Sequence, residues 1–157
     1  MKKYKNMLVL LTLTLVFFMY APTICWDSAN YVSYVQIFER ISPMSSWDVT
    51  RGIVFPLMIY LSNIIFGKTT MGLLILMYIF YLIFIYFIYK ILDEVLKCKN
   101  KERYISIILL LIYFNPIIFG YYHALLTEFV AITLSVFSCY FSWKYINIEH
   151  KNIKKIG

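Results

Sequence analysis

The chain has 157 residues, of which 62% are hydrophobic and 20% aromatic, and it carries a formal net charge of +7. A soluble domain of this length needs more polar side chains to cover its surface, so the composition excludes the ordinary soluble class. The basic residues stand in short blocks beside apolar runs, a pattern typical of membrane topology signals and not of nucleic-acid binding. The sequence therefore predicts an all-α integral membrane protein whose partner is the lipid bilayer, with no nucleic-acid partner.

The first predicted span covers residues 7–26 and follows Lys2, Lys3 and Lys5. This apolar run is long enough to cross about 30 Å of hydrocarbon. Residues 22–25 lack the small-residue pattern of a signal-peptide cleavage site. We therefore expect an uncleaved anchor with a cytoplasmic N-terminus.

An outer loop with juxtamembrane helices is predicted for residues 27–70. Tyr31, Tyr34 and Phe38 recur at helical spacing, which predicts a helix lying on the membrane surface. The apolar run 53–66 would reach only about 21 Å as a helix, which favours an interfacial or re-entrant segment over a full crossing.

Three further spans are predicted, over residues 71–89, 104–122 and 125–143. The first of them contains no charged residue, and Asn115, Pro116 and Gly120 interrupt the second. Cys25, Cys98 and Cys139 stand in three different segments without a metal-ligand spacing, so no metal site is predicted from them.

Charge placement then fixes the predicted orientation. If residues 53–66 do not cross, the basic blocks at the N-terminus, at 90–103 and at 144–157 all lie on the cytoplasmic side. The sequence therefore predicts a multi-pass plasma-membrane protein with four spans and both termini in the cytoplasm. Residues 27–70 and 121–128 are then outside.

Four side chains on that outer face have the chemistry of a transfer reaction. Asp27 follows the first span, where a carboxylate can remove a proton from an acceptor hydroxyl. Arg51 can hold a phosphate through two hydrogen bonds. His123 and Glu128 follow the interrupted span. Simpler roles stay open: for Asp27, an ordinary polar residue at the end of a membrane span; for Glu128, a helix cap; for Arg51, headgroup anchoring; and for His123, an interfacial hydrogen bond.

The order of short motifs resembles the start of GT-C glycosyltransferases, in the branch of protein mannosyltransferases and lipid A aminoarabinose transferases. The motifs that carry the resemblance are Trp26-Asp27-Ser28 with Tyr31, Arg51-Gly52-Ile53-Val54-Phe55-Pro56, Phe66-Gly67, Asn115-Pro116 and Leu126-Thr127-Glu128. They extend over roughly residues 26–143, and each motif alone is short. The chain is therefore expected to form a single membrane domain, residues 1–157, similar to the N-terminal portion of such an enzyme.

The resemblance implies inverting transfer of a sugar from a polyprenyl-phosphate carrier to an acceptor outside the cell. It assigns catalytic roles to Asp27 and Glu128, and donor phosphate binding to Arg51 and His123. In some members the second acidic motif helps to bind a divalent metal, whereas Ser28 stands where several members carry a second acid, which leaves metal dependence open.

Family members are several hundred residues long with roughly eight or more spans, so the resemblance also implies a fragment, with a partner subunit supplying the missing helices. The alternative is a small non-enzymatic multi-span membrane protein, such as an assembly partner or an immunity-type protein.

Overall fold

The computed structural model describes residues 11–23, 26–48, 52–124 and 127–156, and 80% of it is helix. No β-strand occurs in these ranges, which confirms the all-α part of the prediction. The helices are α1 (residues 11–18), α2 (Trp26–Phe38), α3 (Val54–Phe66), α4 (Thr70–Val95), α5 (Lys101–Tyr113), α6 (Pro116–His123) and α7 (Glu128–Ile156), with a short 3-10 turn at Met44–Ser46.

Two of the described helices are long and apolar enough to cross a membrane: α4 and the Glu128–Ile146 part of α7. A third candidate exists if α5 and α6, which meet at an angle of 57°, form one broken span. The predicted spans 71–89, 104–122 and 125–143 fall on these helices, although α4 continues through Lys90 to Val95, where the sequence predicted a loop. The described residues thus contain two or three candidate spans, and the four predicted crossings stay a prediction.

The first predicted span differs from the structure. Within the described residues α1 ends at residue 18, and residues 21–22 have no regular structure. Pro22 explains why the helix cannot continue to Trp26, because proline has no amide hydrogen and disfavours helical geometry at Ala21. Of the predicted span over residues 7–26, residues 11–18 form α1 and Trp26 begins α2, whereas residues 7–10 and 24–25 lie outside the described part.

The break between α5 and α6 has a local cause in Asn115. Its side-chain oxygen accepts hydrogen bonds from the amides of Ile117 (3.0 Å) and Ile118 (3.2 Å), and its carbonyl accepts from Phe119 at 2.9 Å. Asn115 is therefore the N-cap of α6, and Pro116 occupies the first helical position, where a missing amide hydrogen costs nothing.

A tight turn joins α3 to α4. Gly67 adopts φ 75° and ψ 171°, a conformation that is essentially restricted to glycine. The Thr69 hydroxyl accepts a hydrogen bond from the Gly72 amide at 3.1 Å and so caps α4. The buried Ser62 hydroxyl donates to the Gly72 carbonyl at 3.1 Å. A Cβ added at Gly72 would lie 2.9 Å from the Cβ of Phe66, so the two helices meet at closest approach here.

Residues 1–78 and 120–126 form one compact unit of the chain, and residues 79–119 and 127–157 form a second. In the first unit α2 packs on α3, with the ring of Tyr31 5.1 Å from that of Phe55 and the ring of Phe38 5.6 Å from that of Tyr60. Because the earlier residue of α2 contacts the earlier residue of α3 and the later contacts the later, the two helices run in the same direction. This confirms a helix at the predicted Tyr31 to Phe38 positions.

The second unit contains the later part of α4 together with α5 and α7. Phe80 of α4 contacts Phe129 of α7, and Phe87 contacts Phe137 further along, so α4 and α7 run in the same direction. Tyr81 packs on Tyr113, whereas the later Asp93 pairs with the earlier Lys101, so α5 runs in the opposite direction. The core of this unit is largely aromatic. Its buried residues include Tyr81, Phe84, Ile105, Tyr113, Phe129, Val130 and Thr133.

Candidate functional site

Asp27 occupies the first turn of α2, where a carboxylate interacts favourably with the positive end of the helix dipole. Its side chain is half-buried, and the next residue, Ser28, is fully buried. Tyr31 and Val35 continue the buried face of the helix. The structure thus places Asp27 at the edge of the first unit's core, at the start of a helix that the core holds in position.

His123 ends α6 and is only 4% exposed. Its Nε2 donates a hydrogen bond to the carbonyl oxygen of Phe17 at 3.0 Å, and the two rings lie 4.2 Å apart. The ring of Tyr20 stands 6.0 Å away at a steep angle. The imidazole is therefore packed in the core of the first unit with one nitrogen engaged. Its assigned role in phosphate binding stays a prediction.

Glu128 is the first residue of α7, and its side chain is exposed. The carbonyl of Thr127 accepts the first hydrogen bond of this helix, from Ala131 at 3.0 Å, so Thr127 stands at the N-cap position. An exposed acid in the first turn stabilises a helix through its dipole. Thr127 thus stands at the N-cap position and Glu128 in the first turn, and both the capping role and the catalytic role of Glu128 stay predictions.

The structure brings together the segments that lead into the two acids. The Thr23 amide donates a hydrogen bond to the His123 carbonyl at 2.5 Å, and Thr23 forms an isolated parallel bridge with Ala124. Thr23 precedes α2, which begins at Trp26, and Ala124 precedes Thr127. Asp27 and Glu128 belong to different units, and their pairing across a cleft stays a prediction. Arg51, predicted to bind donor phosphate, lies outside the described residues.

A cleft between α2 and α3 was not predicted from the sequence. It encloses about 210 Å³ and is lined by Val32, Val35, Gln36, Glu39, Ile41, Asn63 and Lys68. At its rim the Lys68 ammonium contacts the Glu39 carboxylate at 2.8 Å. Glu39 is the more enclosed partner, with 17% of its side chain exposed against 68% for Lys68. In the sequence only their opposite charges suggest that Glu39 and Lys68 could pair. Charge alone does not predict which lysine contacts which carboxylate.

The donor set for a divalent metal is not found in the described ranges. No group of three or more His, Cys, Asp or Glu side chains there is arranged to hold an ion. Divalent cations with oxygen ligands take several carboxylate and carbonyl donors. Asp27 and Glu128 therefore do not complete a metal site with the other described side chains.

The comparisons with known proteins give the chain no relatives. No family model matches it, and neither does any curated protein or solved structure.

Proposed function

We propose that the chain belongs to a membrane glycosyltransferase that moves a sugar from a polyprenyl-phosphate carrier to an acceptor on the outer face of the plasma membrane. The proposal rests on the motif order in the sequence and on one observation. The Thr23 to His123 hydrogen bond joins the segment that leads into Asp27 to the segment that leads into Glu128.

In the proposed reaction Asp27 takes the proton of the acceptor hydroxyl as its oxygen attacks the anomeric carbon of the sugar. A new carbon–oxygen bond forms on the face opposite the carrier, and the bond from the anomeric carbon to the phosphate oxygen breaks. Polyprenyl phosphate leaves with the electron pair, which gives inversion. Arg51 would offset the charge that develops on that phosphate.

The proposed membrane placement has four crossings, α1 with its flanking residues being the first. Support comes from the second unit, where α4 and α7 run one way and α5 the other. Three successive spans require this alternation. Within the second unit, Glu128 at the start of α7 lies at one end and the basic residues of the α4 to α5 turn lie at the other. If the basic end is cytoplasmic, Glu128 is outside.

The experiment uses the purified full chain in liposomes with a panel of synthetic undecaprenyl-phosphate hexoses, and it measures release of undecaprenyl phosphate. The wild-type chain should release it from at least one donor, and Asp27→Asn should lower the rate by about 100-fold or more. Glu102→Gln, which removes an exposed acid at the basic end, is the matched control and should leave the rate unchanged. An Asp27→Asn variant as active as wild type would overturn the catalytic assignment.

A second candidate is a small non-enzymatic membrane protein that assembles with another membrane protein. The observation in its favour is His123, which is buried and donates from Nε2 to the Phe17 carbonyl, as a packing residue does. On this hypothesis no donor in the panel is consumed. The chain instead co-purifies in fixed ratio with another membrane protein, and Asp27→Asn leaves that ratio unchanged. Release of undecaprenyl phosphate by the wild-type chain would rule this candidate out.

A further inference from the structure

The turn between α4 and α5 concentrates positive charge. From residue 90 to residue 103 the chain has five basic side chains and three acidic ones. Lys97, Lys99 and Arg103 are all exposed, and we call these three the basic turn. Because Lys97 and Lys99 follow the carboxyl end of α4, their charges also interact favourably with its helix dipole.

Two of the three acids in this region have partners within the second unit. The Asp93 carboxylate contacts the Lys101 ammonium at 2.5 Å, and Lys101 also donates to the Asp93 carbonyl. The Tyr140 hydroxyl of α7 donates to the Glu94 carboxylate at 3.5 Å. These contacts fix the end of α4 against α5 and α7. Lys101 balances the charge of Asp93, whereas Glu94 and Glu102 keep their charges, so residues 90–103 carry a net charge of +2, five basic minus three acidic side chains.

Aromatic side chains mark the depth at which the helices would leave the hydrocarbon. Lys90 Nζ lies 5.5 Å from the Tyr86 ring, and Lys144 Nζ lies 5.7 Å from the Tyr140 ring, each one helical turn back towards the apolar segment. Trp143 is exposed beside Lys144. Tyr and Trp next to Lys are characteristic of the membrane–water interface. The basic turn follows Lys90 in the chain, beyond the end of α4 at Val95, and then lies at headgroup level.

We propose that the basic turn binds the phosphodiester headgroups of anionic phospholipids in the surrounding leaflet. Three exposed cations at headgroup depth, held by the Asp93–Lys101 pair, match the charge of such a lipid, and the neighbouring aromatic residues match its interfacial position. Arg103 supplies the forked donor that suits a phosphate oxygen pair, and the two lysines supply point charges. The proposal depends on the membrane topology and not on sugar transfer.

The test is native mass spectrometry of the purified full chain in detergent with an equimolar mixture of phosphatidylglycerol and phosphatidylcholine. The wild-type chain should retain phosphatidylglycerol in preference. The triple variant Lys97→Gln, Lys99→Gln, Arg103→Gln should lose that preference, because each cation near a lipid surface contributes about a fivefold effect. A wild-type chain with no preference, or a triple variant that keeps the full preference, would overturn the proposal.

Two control variants separate charge from folding. The charge-conserving variant Lys97→Arg, Lys99→Arg, which leaves Arg103 in place, should keep the preference, and so should Lys68→Gln, which removes a lysine from the first unit. Loss of the preference in either would contradict a site at the basic turn. Soluble glycerol phosphate, added at the lipid concentration, should not displace the bound lipid. Displacement would mean that the turn recognises free phosphate instead, which would overturn the assignment to the bilayer.

Discussion

His123 and Phe17 are joined by a hydrogen bond of 3.0 Å between the imidazole Nε2 and a backbone carbonyl oxygen, although 106 residues separate them in the chain. The contact closes the core of the first unit, because the Phe17 ring is fully buried and also packs 5.0 Å from the Tyr78 ring. Phe17 of α1 thus contacts both His123 of α6 and Tyr78 of α4.

Replacing His123 with Phe should therefore destabilise the protein. The variant keeps an aromatic ring, but the Phe17 carbonyl loses a buried donor, which should lower the free energy of unfolding by about 1 to 2 kcal/mol. The measurement is thermal unfolding in detergent micelles. Tyr121→Phe, at a neighbouring exposed position, is the control and should change stability by less than about 0.5 kcal/mol. A His123→Phe variant as stable as wild type would show that the imidazole is not needed for packing.

The glycines of α4 and α6 give a pair of opposite predictions. Gly72→Ala should destabilise by about 1 to 3 kcal/mol, because its new Cβ would lie 2.9 Å from the Cβ of Phe66, which cannot rotate away. Gly120→Ala should stabilise by about 0.5 to 1 kcal/mol, because nothing lies within 4 Å of the added carbon and alanine favours the helix. Chemical or thermal unfolding of the two variants side by side checks the pair. Equal effects of the same sign would contradict the close approach at Gly72.

The N-cap at Asn115 predicts a third effect. Asn115→Ala removes the acceptor for the Ile117 and Ile118 amides and should cost about 1 kcal/mol. Asn115→Asp keeps an acceptor and adds a favourable charge at the helix start, so its stability should stay close to that of wild type. Hydrogen exchange at the Ile117 and Ile118 amides measures the local effect. Unchanged protection in Asn115→Ala would mean that the side chain does not cap α6.

Local signals in the sequence predicted most of the helices and one of the breaks. The uncharged run 71–89 lies within α4, and the Asn115-Pro116 pair marks the start of α6 because both residues favour that position. The first span was overextended because hydropathy alone carried it past Pro22. The end of α4 was misplaced because charged residues were read as a loop, although they continue the helix to Val95.

Tertiary contacts account for what the sequence did not predict. The burial of His123 depends on Phe17, and the cleft rim depends on Glu39 meeting Lys68, 29 residues further along the chain. No local periodicity encodes such partners. The assignments of Asp27, Glu128 and Arg51 came from a resemblance in motif order, and they stay predictions for the transfer assay.

The proposed topology requires that the loop after α2 and the basic turn lie on opposite faces of the membrane. Cys98, which is exposed, stands between Lys97 and Lys99 and reports on one face once Cys25 and Cys139 are changed to Ser. Ser45→Cys in a background without the three native cysteines reports on the other. The measurement is labelling of intact cells with a membrane-impermeant maleimide. We expect Cys98 to be labelled only after permeabilisation and the Ser45→Cys variant to be labelled before it. The reverse pattern, or labelling of both in intact cells, would contradict the proposed topology.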